Sequence, residues 1–214
     1  MCVRFIGVDW EAVVGFYHAV APGDHALLRE YDGQELFGYD HPEAIILTGL
    51  NPRVAQLAQW GLLPGWAKDR ALQKNSLNAR VETLGEKAMF RDSVQNRCLV
   101  PASAFFEHQW TDLNKKNCPK IKHIIKAKGR DTFCFAGLYS TWQGKLTFTI
   151  VTTDANSIMA EVHNTKLRMP IILKPEDEEA WLAGAPAEDY ALPYQVDLEA
   201  LPIDGPQAVQ ASLF

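Results

Sequence analysis

Three runs of β-forming residues, Lys120–Ala127, Phe133–Trp142 and Leu146–Thr153, follow one another with only brief turn signals between them. The connections are Lys128-Gly129-Arg130-Asp131 and Gln143-Gly144-Lys145. Links this short reverse the chain, so the runs they join are expected to form antiparallel hairpins in sequence order. That excludes an alternating βαβ fold, whose parallel neighbours need crossovers of about a dozen residues or more. Further β-type runs lie at Ala44–Leu50, Gln56–Leu63 and Cys98–Phe106. Short helices are expected at Trp10–Tyr17, where Ala12, Val13, Val14 and Tyr17 recur at helical spacing, and at Thr83–Val94, Ala155–Val162 and Pro175–Ala183. Pro175 suits a first helical turn and Gly184 an exit. The predicted class is α+β: a single domain over residues 1–214 built on a curved, partly closed, barrel-like antiparallel β-sheet with short helices packed outside.

The bulk numbers permit such a domain. The chain has 214 residues, 47% hydrophobic and 22% charged, enough for a sizeable core. No apolar run reaches the roughly 18 residues of a membrane span, and no charged-then-apolar signal segment opens the chain. A cytoplasmic protein without membrane contact is therefore expected. Cys2, Cys98, Cys118 and Cys134 lack CxxC spacing, and the six histidines are scattered, so neither a zinc site nor a disulfide framework is expected. The net charge of −5 is unevenly placed: −6 over residues 1–50, +9 over 51–170 and −8 over 171–214. A basic middle suits an anionic partner such as a phosphate backbone, and it equally suits a solvated lysine-rich hairpin around Lys115–Lys128.

Cys2 stands directly behind Met1. Removal of Met1 leaves a free α-amine beside a thiol, with ordinary pKa values of about 8 and about 8.5. Such a 1,2-aminothiol condenses with an aldehyde through the amine and closes onto sulfur as a thiazolidine. With Met1 in place the amine is tied in a peptide bond and that reaction is blocked. The competing reading is an incidental thiol at a frayed terminus.

Four segments further along carry chemistry-bearing side chains. Trp60 and Trp66 flank a Gly-Pro turn, where they serve either as core filler or as an aromatic platform for unpaired bases. Asn78 and Arg80 alternate with apolar neighbours, so in an extended segment both point to one side, offering an amide and a phosphate-binding fork. The alternative is a helix-entry loop with Thr83 and Glu86 as a capping box. Glu107 ends an apolar strand behind Phe105 and Phe106. It is either partly desolvated, and so tuned for acid–base work, or an exposed strand end. The stretch from Thr152 leads through a short helix to His163 and Arg168. A histidine there is either an acid–base group or a complement to the helix dipole.

Taken together these segments resemble the SOS-response-associated peptidase (SRAP) family. The likeness lies in Met1-Cys2, WGLLPGWAKD at 60–69, NARVET at 78–83, FRDSVQNRCLVPASAFFE at 90–107 and IVTTDANSIMAEVHNTKLRMPIIL at 150–173. It implies a sensor and shield for abasic sites in single-stranded DNA, working as a monomer without metal or organic cofactor. The crosslinking nucleophile is then Cys2, with Asn78 positioning the sugar and Glu107 and His163 as acid–base groups. Arg4, Arg80 and Arg168 would hold phosphates, and Trp60, Trp66 and Thr152 would complete the DNA-binding set. Lyase and self-processing peptidase activities are also implied. Other classes stay open: a cysteine-nucleophile hydrolase with His163 as base, and a non-covalent single-strand-binding module. Three departures mark a divergent subfamily: Val3 where Gly is common, Phe37–Pro42 lacking the asparagine of a Tyr-Asn-x-Ala-Pro motif, and the extra residues Asn164–Leu167 between His163 and Arg168.

Overall fold

The computed structural model describes residues 2–17, 20 and 33–204. Its strands, all in one sheet of 12, are β1 (Arg4–Gly7), β2 (Glu35–Phe37), β3 (Glu43–Thr48), β4 (Asn51–Trp60), β5 (Asn78–Arg80), β6 (Arg97–Trp110), β7 (Lys120–Ala127), β8 (Phe133–Trp142), β9 (Lys145–Asp154), β10 (Arg168–Pro170), β11 (Ile172–Leu173) and β12 (Leu198–Pro202). The helices among the described residues are short: α1 (Trp10–Tyr17), α2 (Ser157–Val162) and α3 (Glu178–Leu182), beside single 3₁₀ turns. This is the expected α+β class, mostly sheet. No described helix is long and apolar enough to cross a membrane.

Five strands close into a barrel in the order β8-β9-β4-β3-β6, with β6 returning to β8. The barrel is mixed, because β4 meets β9 in parallel at Gln59↔Thr147 and Trp60↔Phe148. Strand β6 is the spine. Its first half lies between β3 and β8, and its second half between β1 and β7. Pro101 sits where the neighbour on one side changes from β3, last paired at Leu99, to β1, first paired at Ala102. A residue without an N–H belongs where the ladder is interrupted.

Two expectations need correction. The β8–β9 hairpin forms as expected, from Gly137↔Ile150 to Trp142↔Lys145, but β7 and β8 do not pair. Both lie along the same side of β6, β7 at Phe105↔Ile125 to Trp110↔Lys120 and β8 at Arg97↔Leu138 to Ala102↔Phe133. The other edge of β7 is filled by β12, from Leu198↔Ala127 to Pro202↔His123. The Lys128–Asp131 turn therefore passes the chain end to end along β6. The second correction is the helix expected at Thr83–Val94, which is a series of separate turns (Glu86 N–H to Thr83 O, Phe90 N–H to Lys87 O, Ser93 N–H to Phe90 O). Gly85 disfavours helix by about 1 kcal/mol, and the buried Leu84 and Phe90 are six residues apart, so they form no helical stripe.

The acidic segment after residue 173 adds to the sheet through β12 and covers one flank with α3, whose Trp181 is buried and donates to Cys98 O at 3.1 Å. The barrel interior is aromatic: Phe5 meets Trp60 edge-on at 5.0 Å and Phe135 at 5.7 Å, and Phe105 meets Phe135 at 5.8 Å. Edge-to-face contact at these spacings is the favoured aromatic geometry. The site described next lies where this interior meets β1.

Candidate active site

Phe5 is buried inside the barrel, and three residues earlier Cys2 joins the same core cluster with no exposed surface. The Asn78 side chain reaches it from β5, donating Nδ2–H to Cys2 O at 2.8 Å. Only the NH₂ end can donate to a carbonyl, so that bond fixes the amide's orientation. It leaves Asn78 Oδ1 buried without a hydrogen-bond partner among the described residues. Strand β5 runs parallel to β9, with Asn78 opposite Ile150 and Arg80 opposite Thr152. The expected alternation is present: Ala79 is buried, Asn78 half-buried and Arg80 exposed.

Glu107 comes from the outer half of β6 and His163 from the end of α2, and both are buried. Helix α2 starts at Asn156, whose side chain accepts from Met159 N–H at 2.9 Å, a regular N-cap. It ends as His163 N–H bonds Met159 O at 2.7 Å. His163 Nε2 lies 3.9 Å from Glu107 Oε2. The other ring nitrogen, Nδ1, is 2.8 Å from Arg168 O. A carbonyl can only accept, so Nδ1 carries the proton and Nε2 keeps its lone pair in the neutral ring.

Burial drives the Cys2 thiol far above its ordinary pKa, and the Glu107 carboxylate pushes the same way. The thiol is protonated at neutral pH, with Sγ 3.8 Å from Arg4 O. All four cysteines are free and buried. A native thiol titration with an aromatic disulfide reagent is expected to register essentially none of them within minutes, and all four in denaturant.

Burial pulls the His163 pKa below its ordinary value, against an opposing effect of Glu107. As the pH falls, the unfolded chain therefore binds the His163 proton before the folded one does. The stability this neutral imidazole contributes is whole above the unfolded pKa of about 6.5 and is lost as the pH falls towards the lower native value. Urea midpoints measured from pH 7.5 to 5.5 are expected to fall, with a shallower slope in His163→Gln.

The structure thus brings together Cys2, Asn78, Glu107 and His163, and it scatters the residues expected to contact DNA. Trp66 is 53% exposed. Arg80 is exposed and has no ion pair among the described residues. Arg4 lies over the Phe37 ring at 4.9 Å and pairs with Glu35 at 2.7 Å. Three of the side chains expected to contact DNA are buried instead. Trp60 is fully buried, donating to Leu77 O at 2.9 Å and stacked near Phe148, so it offers no face to a base. Thr152 is fully buried, its hydroxyl donating to Ala79 O at 3.3 Å. Arg168 is buried and already neutralised: Glu82 binds it bidentately at 2.8 and 2.9 Å, Asp154 at 2.6 Å, and Thr152 O accepts from it at 2.8 Å. It ties the end of β5 to β9 and β10 and cannot serve a phosphate without giving up these partners. Sequence reasoning missed Glu82 and Asp154 because ion pairs between residues 86 and 14 apart leave no local signal.

A model of the SOS response associated peptidase (SRAP) family matches residues 1–205. Abasic site processing protein YoqW of Bacillus subtilis (strain 168) is 44% identical over 144 residues, 64% of this chain and 61% of YoqW. Abasic site processing protein YoaM of the same organism is 42% identical over 165 residues, 72% of this chain and 69% of YoaM. The match with YoqW thus spans about three-fifths of that relative's length. Among solved structures, a crystal structure of a protein from Bacteroides thetaiotaomicron superposes with a TM-score of 0.82 at 28% identity, covering 98% of this chain and 99% of the other.

Proposed function

The chain belongs to the SOS response associated peptidase (SRAP) family, and on that premise we propose that it processes abasic sites in single-stranded DNA by bonding them covalently through Cys2. The observation that carries this reading is the gathering of Asn78, Glu107 and His163, from three separate elements, around one buried cysteine. The relatives named for abasic-site processing support the substrate class.

Once Met1 is removed, the Cys2 amine attacks C1′ of the ring-opened deoxyribose, and loss of water gives the imine. The thiol then adds to the imine carbon, its proton passing to nitrogen, and a thiazolidine results. His163 Nε2 and the Glu107 carboxyl move the protons of ring opening and dehydration. The Asn78 amide holds the Cys2 carbonyl, and its Oδ1 is an acceptor for a sugar hydroxyl. Enclosing amine and aldehyde together replaces a slow bimolecular condensation by an intramolecular one. The imine stage also permits β-elimination, hence a weak lyase activity. Arg80, Arg4 and Trp66 are the side chains we assign to holding the strand, through phosphates and stacking without base-edge readout. The protonated state of the buried thiol favours this amine-first route over a thiolate hydrolase.

The test is incubation of Met1-trimmed protein with a single-stranded oligonucleotide containing one abasic site, followed by denaturing electrophoresis. A shifted band dependent on the lesion is expected. Intact, fully trimmed protein that yields no such band would falsify the proposal, and cleavage of a peptide panel by the same protein would favour the hydrolase.

A further inference from the structure

Asn164 directly follows His163 and has a half-buried side chain turned towards strand β6. There its amide meets both backbone groups of one residue: Oδ1 accepts from Trp110 N–H at 3.1 Å, and Nδ2–H donates to Trp110 O at 2.9 Å. An asparagine amide has one donor edge and one acceptor edge, and this bond pair uses both, much as a neighbouring strand would. Trp110 lies three residues beyond Glu107 on the same strand. The two clamped residues are therefore close neighbours of the two acid–base groups, one on each side.

The geometry points to Asn164 as a positioning residue that sets the separation between His163 and Glu107. This pair of bonds joins the segment between His163 and Arg168 to β6. Within that segment, Lys166 N–H and Leu167 N–H both turn back to His163 O, at 3.3 and 3.0 Å. Leu167 takes a left-handed φ of 51°, a conformation that disfavours a side chain with a Cβ. Such a loop is held by its surroundings and not by its own preference. Without the Asn164 clamp, the backbone at His163 keeps its bond to Met159 O on the helix side but loses its anchor on the Glu107 side. The imidazole contact to Glu107, at 3.9 Å and longer than a hydrogen bond, is too weak to restore the spacing.

This inference rests on the reading of His163 and Glu107 as the proton-transfer pair, and its test separates the two. In Asn164→Ala the rate of crosslink formation at saturating DNA is expected to fall roughly tenfold or more, the scale of a misplaced catalytic group. Affinity for the same strand carrying an intact base should stay within about twofold. The His163 imidazole, followed by NMR titration, should move up towards the ordinary histidine value as water reaches it. Besides burial, the groups acting on that titration are Glu107, the N-terminal amine, the Arg168 carbonyl and Lys166, none of which the substitution alters. Thr165→Ala, one residue on and exposed, should change neither quantity. Asn164→Ser, whose shorter side chain can meet only one of the two backbone groups, should show both changes at smaller size, and it carries the test if the alanine variant does not fold. A folded Asn164→Ala with wild-type rate and wild-type imidazole titration overturns the inference and leaves the proposed function intact. Wild-type protein that makes no crosslink defeats the proposed function instead, while the titration still decides whether Asn164 positions His163.

Discussion

Replacing Cys2 by alanine is expected to remove the denaturation-resistant band with abasic single-stranded DNA completely. The alanine variant keeps its α-amine, so it can still form the imine. It lacks the sulfur that closes the ring, and an imine hydrolyses during denaturation. Adding cyanoborohydride during the incubation should therefore bring the band back in Cys2→Ala, because reduction turns the imine into a stable amine. A variant in which Met1 is retained should fail with or without reductant, since its Cys2 nitrogen is a peptide nitrogen. The three results together separate the thiol's contribution from the amine's. A stable band from Cys2→Ala without reductant would mean that another nucleophile is at work. The substitution removes only one buried sulfur, and its cost to stability is expected to be about 1–2 kcal/mol, so a folded variant should be available for the comparison.

The largest effect on stability is expected at Trp60. Its ring is fully buried between Phe5 and Phe148, and truncating a core tryptophan to alanine costs about 3–5 kcal/mol. For a domain of this size that lowers the melting temperature by on the order of 10 °C. The effect should reach the site as well, because Trp60 Nε1–H holds Leu77 O and the next residue, Asn78, holds Cys2. Trp66→Ala is the paired measurement. That side chain is largely in water, so its removal should shift stability by no more than about 0.5 kcal/mol. Any loss there should appear in DNA affinity. If calorimetry finds Trp66 the more costly of the two, the assignment of one to the core and the other to the strand is reversed.

The likeness of the two tryptophans in the sequence shows where local reading stops. Both flank the same Gly-Pro turn, and nothing nearby tells which one enters the barrel. Gly61, with φ of 110°, swings the chain out of β4 directly after Trp60, and only the closed sheet decides that Trp60 is left inside. Arg168 is a parallel case. A guanidinium between a histidine and a Met-Pro pair reads as a free cation until the fold brings Glu82 and Asp154 to it. Cys2 and the three residues around it were each visible as chemistry-bearing side chains. Their convergence was visible only through resemblance, because Cys2, Asn78, Glu107 and His163 are far apart along the chain.

Strand positions were legible because a strand's signature is local: side chains alternate every two residues, and turn residues mark its ends. The expected Lys120–Ala127 and Phe133–Trp142 match β7 and β8 residue for residue, and the β8–β9 turn closes where Gln143 and Gly144 allow it. Pairing partners were not legible to the same degree. A strand's edges carry the same backbone N–H and C=O groups whatever its sequence, so the choice of neighbour is made by burial across the whole sheet. That is why a turn read as a β7–β8 hairpin instead lays both strands along β6, and why a β12 strand more than sixty residues downstream fills the vacant edge. The chemistry proposed for Cys2 is written in the order of two residues, while the groups proposed to act on it are brought to it by the closing of the barrel.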